Sequence, residues 1–522
     1  MHTRSSWRET AVAAALIVVW LAATAWARPL HLPDEGRYVG VAWEMMRSGD
    51  WLTPTLNGLP FLHKPPLFYW ITAGSMSLFG LNGFAARTAP IFGASLGAFA
   101  LYLFTRRWSG ERAARLALLA LLVQPLFYIG GQFANLDMLV AGLITATILL
   151  LAHTALCVEH GLPHRRALAG AYAMAALGVL AKGLIGAVIP VLVIFAWLAL
   201  MQRWRVLWAL VSLTGIGVFV LLAAPWFIAM QWRFADFLNY FFVVQHLKRF
   251  AMGGFNNLQP FWFYPAVLLL FSLPWLAWLY RLFTRDYLVD TERGPVPLLM
   301  WLWVAVVVLF FSMPKSKLLG YVLPAVPPLA FLMAEGLLTL GMPSRRAKRL
   351  WWASAVVTTV LSLGAVLAFA IHPRHSSREL GAVLGAQRGL QEPVFMLNHY
   401  YYDVPFYARL RGPVGVVDDW SNPEVRKRDN WRKELADAGQ FAPTSSTSAL
   451  VVPESLLAAL CRSPTSWVIG PTSAVSSYPV LAQARAVYTQ RDPTLWRVDS
   501  GQPAIANTLR CAGVPAGDSP DR

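Results

Sequence analysis

Leu-Pro-Asp-Glu-Gly-Arg-Tyr occupies residues 32–38, and Leu-His-Lys-Pro-Pro occupies residues 62–66. Between these stretches, apolar side chains recur at helical spacing and predict an amphipathic helix that lies on a membrane surface, with Glu44 outside its apolar face. Carboxylates are costly beside a bilayer, so Asp34 and Glu35 are candidates for a functional site. The alternative is an ordinary solvated loop that connects two membrane spans.

Composition indicates that this region belongs to a polytopic α-helical membrane protein. The 522 residues are 57% hydrophobic and 14% charged, with a mean hydropathy of +0.49. Apolar runs of membrane-spanning length recur as far as residue 371 and predict about 11–13 transmembrane helices. The formal net charge of +17 is typical of basic cytoplasmic loops, so no nucleic-acid partner is inferred.

Basic clusters in the apolar region fall on alternate loops, which makes those loops cytoplasmic. The remaining loops then face outward, yet they also contain Lys and Arg, against the usual trend. An anion held at the outer face would account for these cations, so we expect the outer loops to meet around a common site. The outer segments are 28–87, 132–137, 182–183, 225–260 and 314–317, and each of them except 132–137 contains Lys or Arg.

A change in composition near His372 predicts a second domain. We expect a transmembrane domain over residues 1–371, with outer loops 28–87 and 225–260, and a small outer α/β domain over residues 372–522. Cys461 and Cys511 both lie in this exported part, where a disulfide is compatible with the compartment. Two cysteines alone leave the bonded and the free state both open.

Outward-facing carboxylates beside several cations suit the transfer of a sugar from a polyprenyl phosphate. The phosphate needs cationic partners, both to bind and to take up negative charge as the glycosidic bond breaks. Phosphate is a good leaving group, so no protonating acid is required. One carboxylate can then act as a base toward the acceptor, or stabilise an oxocarbenium-like centre.

Several motifs together resemble the aminoarabinose transferase family, part of the protein O-mannosyltransferase-like group of polyprenyl-phosphate glycosyltransferases with the GT-C membrane fold. The resemblance covers the membrane part in order, over about residues 1–340, and is vague beyond it. The motifs are Pro33–Tyr38, Glu44-Met45, Ser48–Trp51, Asn57-Gly58, Lys64–Leu67, Asn135–Met138, Ala181–Gly183, His246–Phe250, Lys315–Leu318 and Tyr321–Pro324.

The resemblance implies that Asp34 is the catalytic carboxylate, with Asp137 as a second acidic residue and Glu35 as ligand, support or bystander. It also implies a group of side chains that bind or support the donor phosphate. These are Lys64, Arg249 and Tyr321, with Arg37 beside the carboxylates and with Lys182, Lys315 and Lys317 as further cationic candidates.

Each of the less specific candidates also has a purely structural interpretation. Asp137 would cap the helix that follows it. Lys182 would extend from a helix end toward the interface. Lys315 and Lys317 would anchor their loop at the membrane surface.

One departure from the family concerns metal binding. The family commonly has Glu before Lys-Pro, where this chain has His63, and in relatives that Glu joins a histidine that His246 matches. The sequence therefore also offers a zinc site at His63 and His246. The transfer itself requires no cofactor if Lys and Arg neutralise the phosphate.

We expect an inverting glycosyltransferase of the bacterial inner membrane whose active site faces the periplasm. The resemblance suggests that the enzyme transfers 4-amino-4-deoxy-L-arabinose from undecaprenyl phosphate to lipid A. Membrane lipids are expected to surround the transmembrane helices. An alternative acceptor is a protein hydroxyl, as in the mannosyltransferase branch, or another glycan. A transporter of lipid-linked precursors is a hypothesis of a different class. It predicts charges on both sides of the membrane midplane and a repeat between halves, whereas the ionisable candidates here gather on one face and no such repeat is seen.

Overall fold

The computed structural model describes residues 5–248, 257–284, 294–373, 375–428, 430–489 and 491–511, and it divides the chain into two compact units. The membrane unit comprises Met1–Arg28 and His63–Pro373. The sheet unit comprises Pro29–Leu62 and Arg374–Arg522. The structure differs from the predicted division at residue 372 in one respect, because Pro29–Leu62 of the first outer segment packs with the C-terminal part of the chain.

In the described residues, the membrane unit has six helices that are long and apolar enough to span a bilayer, and up to eight spans if each of two bent pairs is one span. The six are Thr88–Trp108, Leu136–Glu159, Leu213–Arg233, Pro295–Ser312, Leu319–Leu338 and Arg345–Ile371. The bent pairs are Glu111–Val123 with Pro125–Gly131, and Phe263–Phe271 with Leu273–Arg281. The chain is therefore a polytopic helical membrane protein.

Shorter or less apolar helices complete the described part of the membrane unit. They are Ser5–Ala22, Leu67–Phe79, Gly83–Ala86, Arg165–Lys182, Ile185–Leu200, Trp204–Ala209 and the π-helix Asn239–Lys248. The chain between Leu319 and Ala325 is a 3₁₀-helix that leads into Val326–Leu338. Broken and short segments of this kind explain why fewer helices meet the length criterion than the apolar runs predict.

Small residues allow the central helices of the membrane unit to approach closely. A Cβ atom on Gly142 would lie 1.9 Å from the carbonyl oxygen of Gly93. On the next pair, a Cβ atom on Gly186 would lie 2.2 Å from the carbonyl carbon of Gly178. Larger side chains at these positions would push the helix backbones apart, and close contact is a main source of helix association in membranes.

The sheet unit is an α/β domain, in agreement with the sequence prediction. It begins with the hairpin β1 (Thr55–Leu56) and β2 (Leu59–Pro60). The six strands of the main sheet are β3 (Val394–Leu397), β4 (Gly415–Val417), β5 (Leu450–Val451), β6 (Thr465–Pro471), β7 (Arg485–Thr489) and β8 (Pro493–Asp499). Their order in the sheet is β5-β4-β3-β6-β8-β7, where β3 to β6 are parallel and β8 is antiparallel to both of its neighbours, β6 and β7.

The helices of the sheet unit cover a sheet whose central strands are apolar and buried. Every residue of β3 is buried, which is typical of a parallel strand covered on both faces. The helices are Asp34–Ser48, Arg378–Gln387, Val404–Tyr407, Trp431–Gln440, Pro443–Ala449, Pro453–Cys461, Ala474–Ser477, Val480–Gln483 and Pro503–Leu509, with a 3₁₀-helix at Pro423–Arg426. A disulfide joins Cys461 to Cys511, whose Cα atoms are 5.6 Å apart.

Helix Asp34–Ser48 packs its apolar face inside the sheet unit, and not on a membrane surface as its pattern predicts. Val39 and Met45 are fully buried. Glu44 is buried as well, although the pattern places it outside the apolar face. Its carboxylate accepts hydrogen bonds from the backbone N–H groups of Asn57 at 2.6 Å and Gly58 at 3.0 Å. These two bonds offset part of the cost of burying the carboxylate, and burial still raises the pKa of Glu44 above its ordinary value.

The two residues that Glu44 binds form the tight turn of the β1–β2 hairpin. Asn57 and Gly58 have φ values of 55° and 73°, the left-handed conformation that a two-residue hairpin turn requires. The Asn57 side chain accepts a hydrogen bond from the backbone N–H of Val414 at 2.8 Å, and it donates one to the backbone carbonyl oxygen of Val414 at 2.9 Å. The Asn-Gly pair of the family motif therefore joins the first outer segment to the start of β4.

Candidate functional site

Asp34 and Arg37 form an ion pair on the first turn of helix Asp34–Ser48. Their spacing of three residues brings both side chains to one face, where an Arg37 Nη2 hydrogen donates to Asp34 Oδ1. The Asp34 side chain remains 33% exposed, whereas that of Arg37 is 17% exposed. Asp34 thus combines a fixed cationic partner with access to solvent.

Gly36 lets this first turn approach the C-terminal part of the sheet unit. A Cβ atom at Gly36 would lie 2.6 Å from Leu32 Cδ2 and 2.9 Å from Tyr402 Cβ. A backbone hydrogen bond of 2.8 Å from Leu32 N to His375 O closes the same contact. Pro29–Leu62 of the first outer segment is therefore part of the α/β domain, which holds Asp34 in place.

Glu434 and Tyr402 complete the surroundings of Arg37. Arg37 Nη1 donates to Glu434 Oε1, and the Tyr402 hydroxyl donates to Glu434 Oε2 at 2.7 Å. The Arg37 guanidinium also lies over the rings of Tyr38 at 4.9 Å and Tyr402 at 5.9 Å. Although burial opposes the charge, Coulombic attraction to Glu434 and its neighbours outweighs it and raises the pKa of Arg37 well above its ordinary value.

Glu35 has a different environment from Asp34, although the two carboxylates are adjacent in sequence. Its side chain is fully buried and accepts a hydrogen bond from the backbone N–H of His31 at 2.7 Å. This bond stabilises the turn that enters helix Asp34–Ser48. Of the two predicted carboxylates, Asp34 is the one with an exposed surface.

In the membrane unit, Asp137 and Lys182 form a buried ion pair beside Tyr321. The Lys182 ammonium donates to Asp137 Oδ1, with side-chain exposures of 11% and 9%. The same ammonium lies 4.2 Å from the centroid of the Tyr321 ring, which adds a cation–π contact. Three residues predicted from separate outer loops are therefore in one cluster.

The cap of helix Leu136–Glu159 is Asn135, so Asp137 does not have the capping role that was its alternative interpretation. Asn135 Oδ1 accepts from the backbone N–H of Asp137 at 3.0 Å, and its Nδ2 donates to Asp137 Oδ2 at 3.2 Å. A Cβ atom on Gly320 would lie 2.0 Å from Asp137 Oδ2. Glycine at position 320 is what allows the chain before Tyr321 to approach this carboxylate.

His63 contacts the fourth outer segment of the membrane unit. The Tyr240 hydroxyl lies 2.9 Å from His63 Nε2 and accepts a hydrogen bond from Gln245 Nε2 at 2.9 Å. Lys64 follows His63 in the chain and is partly buried. Arg249 lies outside the described residues, and the backbone of His246 is described but its side chain is not.

The two predicted lysines of the last outer loop differ in what they bind. Lys317 is buried, and its Nζ donates to the carbonyl oxygens of Gln259 at 3.0 Å and Pro314 at 2.6 Å. Burial lowers the pKa of Lys317. Lys315 is exposed, and its backbone carbonyl accepts from Gln259 N at 3.0 Å. Lys317 therefore stabilises the loop, while Lys315 presents its ammonium to solvent.

The expected zinc site has too few donors among the side chains that the structure describes. No group of three His, Cys, Asp or Glu residues in that part of the chain has a geometry that could hold a metal ion. His63 Nε2 is already in contact with the Tyr240 hydroxyl, and one imidazole does not make a zinc site.

Glu434 and Tyr402 are neighbours of the candidate site that sequence reasoning missed. They follow Arg37 by 397 and 365 positions, and no motif links them to it. A weak signal was present, since Glu434 falls in the first turn of the strongly amphipathic helix Trp431–Gln440, where a carboxylate is favoured. That pattern predicts the helix but not its partner.

Comparison with known proteins identifies sequence relatives. The sequence profile of the dolichyl-phosphate-mannose-protein mannosyltransferase family matches residues 63–228. An undecaprenyl phosphate-α-4-amino-4-deoxy-L-arabinose arabinosyl transferase of Aeromonas hydrophila is 35% identical over 367 residues, which cover 68% of this chain and 65% of that protein. The protein of the same name from Edwardsiella ictaluri is 31% identical over 385 residues, covering 71% and 68%. The chain thus matches about two thirds of the length of these relatives.

Solved structures share the fold over nearly the whole chain. ArnT from Cupriavidus metallidurans, crystallised with undecaprenyl phosphate, superposes with a TM-score of 0.79 at 21% identity and covers 96% of this chain and 99% of that one. The archaeal oligosaccharyltransferase AglB from Archaeoglobus fulgidus has a TM-score of 0.51 at 14% identity, covering 92% and 71%. Sequence and fold together establish that this chain belongs to the undecaprenyl phosphate-aminoarabinose arabinosyl transferase family of GT-C membrane glycosyltransferases.

Proposed function

We propose that this protein transfers 4-amino-4-deoxy-L-arabinose from undecaprenyl phosphate to lipid A, at the periplasmic face of the bacterial inner membrane. The observation that carries the proposal is the Asp34 carboxylate, which is paired with Arg37 and one third exposed, at 33%. The names of relatives at 31–35% identity support the donor and the sugar. The basic loops that alternate along the membrane unit support the orientation.

The proposed reaction breaks the bond between C1 of the sugar and the phosphate oxygen, and the phosphate leaves with the bonding electron pair. An acceptor oxygen forms the new bond to C1 from the opposite face, which inverts the configuration. If the acceptor is a hydroxyl, Asp34 takes its proton. If it is a lipid A phosphate, which is already ionised, Asp34 instead stabilises the positive charge that develops at C1.

We assign donor phosphate binding to the membrane unit, through Lys64, Tyr321 and Arg249. The ion pair of Lys182 with Asp137, with the ammonium 4.2 Å from the Tyr321 ring, supports a positioning role for both residues. Lys315 is a further cation for the phosphate because its side chain is exposed. Lys317 suits this role less, since its ammonium already binds two carbonyl oxygens.

A protein hydroxyl is a second candidate acceptor. The match of residues 63–228 to the dolichyl-phosphate-mannose-protein mannosyltransferase family favours it. In that case the base role of Asp34 would be essential, because a hydroxyl must lose its proton as the new bond forms. The two acceptors are therefore separable by product analysis.

The test is mass spectrometry of lipid A from cells that lack their own transferase and express the native chain, Asp34→Asn or Glu424→Gln. Glu424→Gln is a matched control, because Glu424 and Lys427 form an exposed ion pair at the same three-residue spacing in the same unit. We expect an aminoarabinose addition with the native chain and the control, and its loss in Asp34→Asn. Unmodified lipid A with a well-expressed native chain would contradict the acceptor assignment, and glycosylated exported proteins would then be analysed.

A further inference from the structure

We propose that Glu434 and Tyr402, from the C-terminal part of the sheet unit, are positioning residues that hold Arg37 in the orientation in which it pairs with Asp34. The inference deepens the proposed function, because it rests on Asp34 as the catalytic carboxylate. It assigns a role in turnover to a part of the chain that carries no recognised motif.

The guanidinium of Arg37 joins two carboxylates through its two terminal nitrogens. Nη1 donates to Glu434 and Nη2 donates to Asp34. Because the guanidinium is planar and rigid, a partner that fixes one terminal nitrogen also fixes the direction of the other. Glu434 therefore determines where Arg37 presents its charge to Asp34.

Glu434 is itself held on two sides. Helix Trp431–Gln440 begins at the cap Asn430, whose Oδ1 accepts from Arg432 N at 3.0 Å and Lys433 N at 3.3 Å. Glu434 lies in the first turn, where the helix dipole favours a negative charge. Its second oxygen accepts from the buried Tyr402 hydroxyl at 2.7 Å. This arrangement leaves the carboxylate little freedom to follow Arg37 if Arg37 moves.

The exposed fraction of the side chain decreases from Asp34, the proposed catalytic carboxylate, through Arg37 to Glu434. The side chains of Asp34, Arg37 and Glu434 are 33%, 17% and 9% exposed. A buried ion pair adds little stability compared with well-packed apolar side chains. A buried carboxylate that directs a cation toward a more exposed carboxylate is, in contrast, the arrangement that preorganised electrostatics requires.

The kinetic test uses the full-length chain in detergent with Glu434→Gln, Tyr402→Phe and the control Asp437→Asn. Asp437 is a buried carboxylate on the same helix, paired with Lys433 at 3.0 Å and distinct from the Arg37 contacts. We expect Glu434→Gln to lower kcat about tenfold to a hundredfold with a much smaller change in KM, because Asp34 loses its fixed partner. Tyr402→Phe should lower kcat about twofold to tenfold, since one hydrogen bond is removed, and Asp437→Asn should retain native kcat.

Two further variants distinguish positioning from simple destabilisation. Glu434→Asp keeps the charge and should recover part of kcat, whereas a loss caused by unfolding would appear as less folded enzyme at unchanged kcat. In an Arg37→Ala background, Glu434→Gln should change kcat by less than about twofold, because its effect passes through Arg37. Native kcat in Glu434→Gln, or additive losses in the double variant, would overturn the inference.

A measurement that needs no sugar donor separates this inference from the proposed function. A water-soluble carbodiimide labels exposed carboxyl groups, and peptide mass spectrometry reports the rate at Asp34. We expect Glu434→Gln to raise that rate toward the rate of Arg37→Ala, since Asp34 loses the cation that covers one oxygen. An unchanged labelling rate overturns the positioning role, whereas a native chain that transfers no aminoarabinose overturns the function and leaves the labelling result to decide the inference.

Discussion

Each unit of this protein contains an aspartate paired with a cation, but the two pairs differ in exposure. Asp34 and Arg37 of the sheet unit have side chains that are 33% and 17% exposed. Asp137 and Lys182 of the membrane unit are 9% and 11% exposed. A carboxylate that reacts must reach its substrate, whereas a carboxylate that supports a site is most effective when it is dry and fixed. The difference therefore suggests chemistry for Asp34 and support for Asp137.

The largest expected effect separates the two aspartates. Asp34→Asn should lower kcat by about a hundredfold to ten-thousandfold, the contribution typical of a positioned general base or charge stabiliser. The variant should keep the native thermal unfolding midpoint, because Asp34 is partly solvated. Steady-state transfer assays paired with thermal unfolding in detergent check both parts. Native kcat in this variant would remove Asp34 from the chemistry.

Substitutions in the buried pair of Asp137 and Lys182 should, unlike Asp34→Asn, lower the stability of the fold. Asp137→Asn or Lys182→Met leaves one charge of a buried pair without its partner, which should reduce the free energy of unfolding by about 3–5 kcal/mol. The double variant should be more stable than either single one, because no lone charge remains. Thermal unfolding of the four proteins gives the coupling. Additive destabilisation would show that the two residues act independently.

Asp403 provides a pH test of the sheet unit alone. It is fully buried beneath the turn at Ser377, whose backbone N–H donates to it at 2.8 Å, and burial raises its pKa from 3.8 to about 6. Because the folded state prefers the protonated form, this stabilisation is complete below pH of about 4 and is lost as pH rises through about 6. The loss corresponds to about 3 kcal/mol at about 1.4 kcal/mol for each pH unit.

Hydrogen exchange of the Ser376–Ser377 backbone between pH 4 and pH 7 reports this effect, once corrected for the intrinsic pH dependence of exchange. Protection should fall over that range in the native chain and stay level in Asp403→Asn, which cannot ionise. A control is Asp419→Asn, which replaces an exposed carboxylate of the same unit. The same pH dependence in native and Asp403→Asn proteins would assign the effect to another group.

Local patterns in the sequence predict contacts between residues that are close together in the chain. The three-residue spacing of Asp34 and Arg37 predicts that they share a helix face, and the Asn57-Gly58 pair is typical of a hairpin turn. The apolar periodicity between the stretches 32–38 and 62–66 likewise predicts a helix with one apolar face. It does not reveal whether that face packs on lipid or on protein, because both are apolar, and the interfacial interpretation was therefore wrong.

Contacts across hundreds of residues were not predictable from one sequence. Glu434 follows Arg37 by 397 positions, and only the folded sheet unit brings the two together. The burial of Glu44 has the same origin, since its partners are the backbone N–H groups of a turn. Charge patterns report which residues are costly to bury, but their partners depend on the tertiary fold.

The smallest expected effect concerns the Tyr321 ring, 4.2 Å from the Lys182 ammonium. Tyr321→Phe keeps the ring and so should change the free energy of unfolding by less than about 0.5 kcal/mol, whereas Tyr321→Leu removes the cation–π contact and should cost about 1–2 kcal/mol. If the hydroxyl binds the donor phosphate as proposed, Tyr321→Phe should still raise KM for the donor severalfold, through the loss of one hydrogen bond. Transfer assays at varied donor concentration, beside thermal unfolding, separate the two roles of one side chain. A phenylalanine variant with native KM would restrict Tyr321 to holding Lys182, and the membrane-unit pair would then be purely supportive.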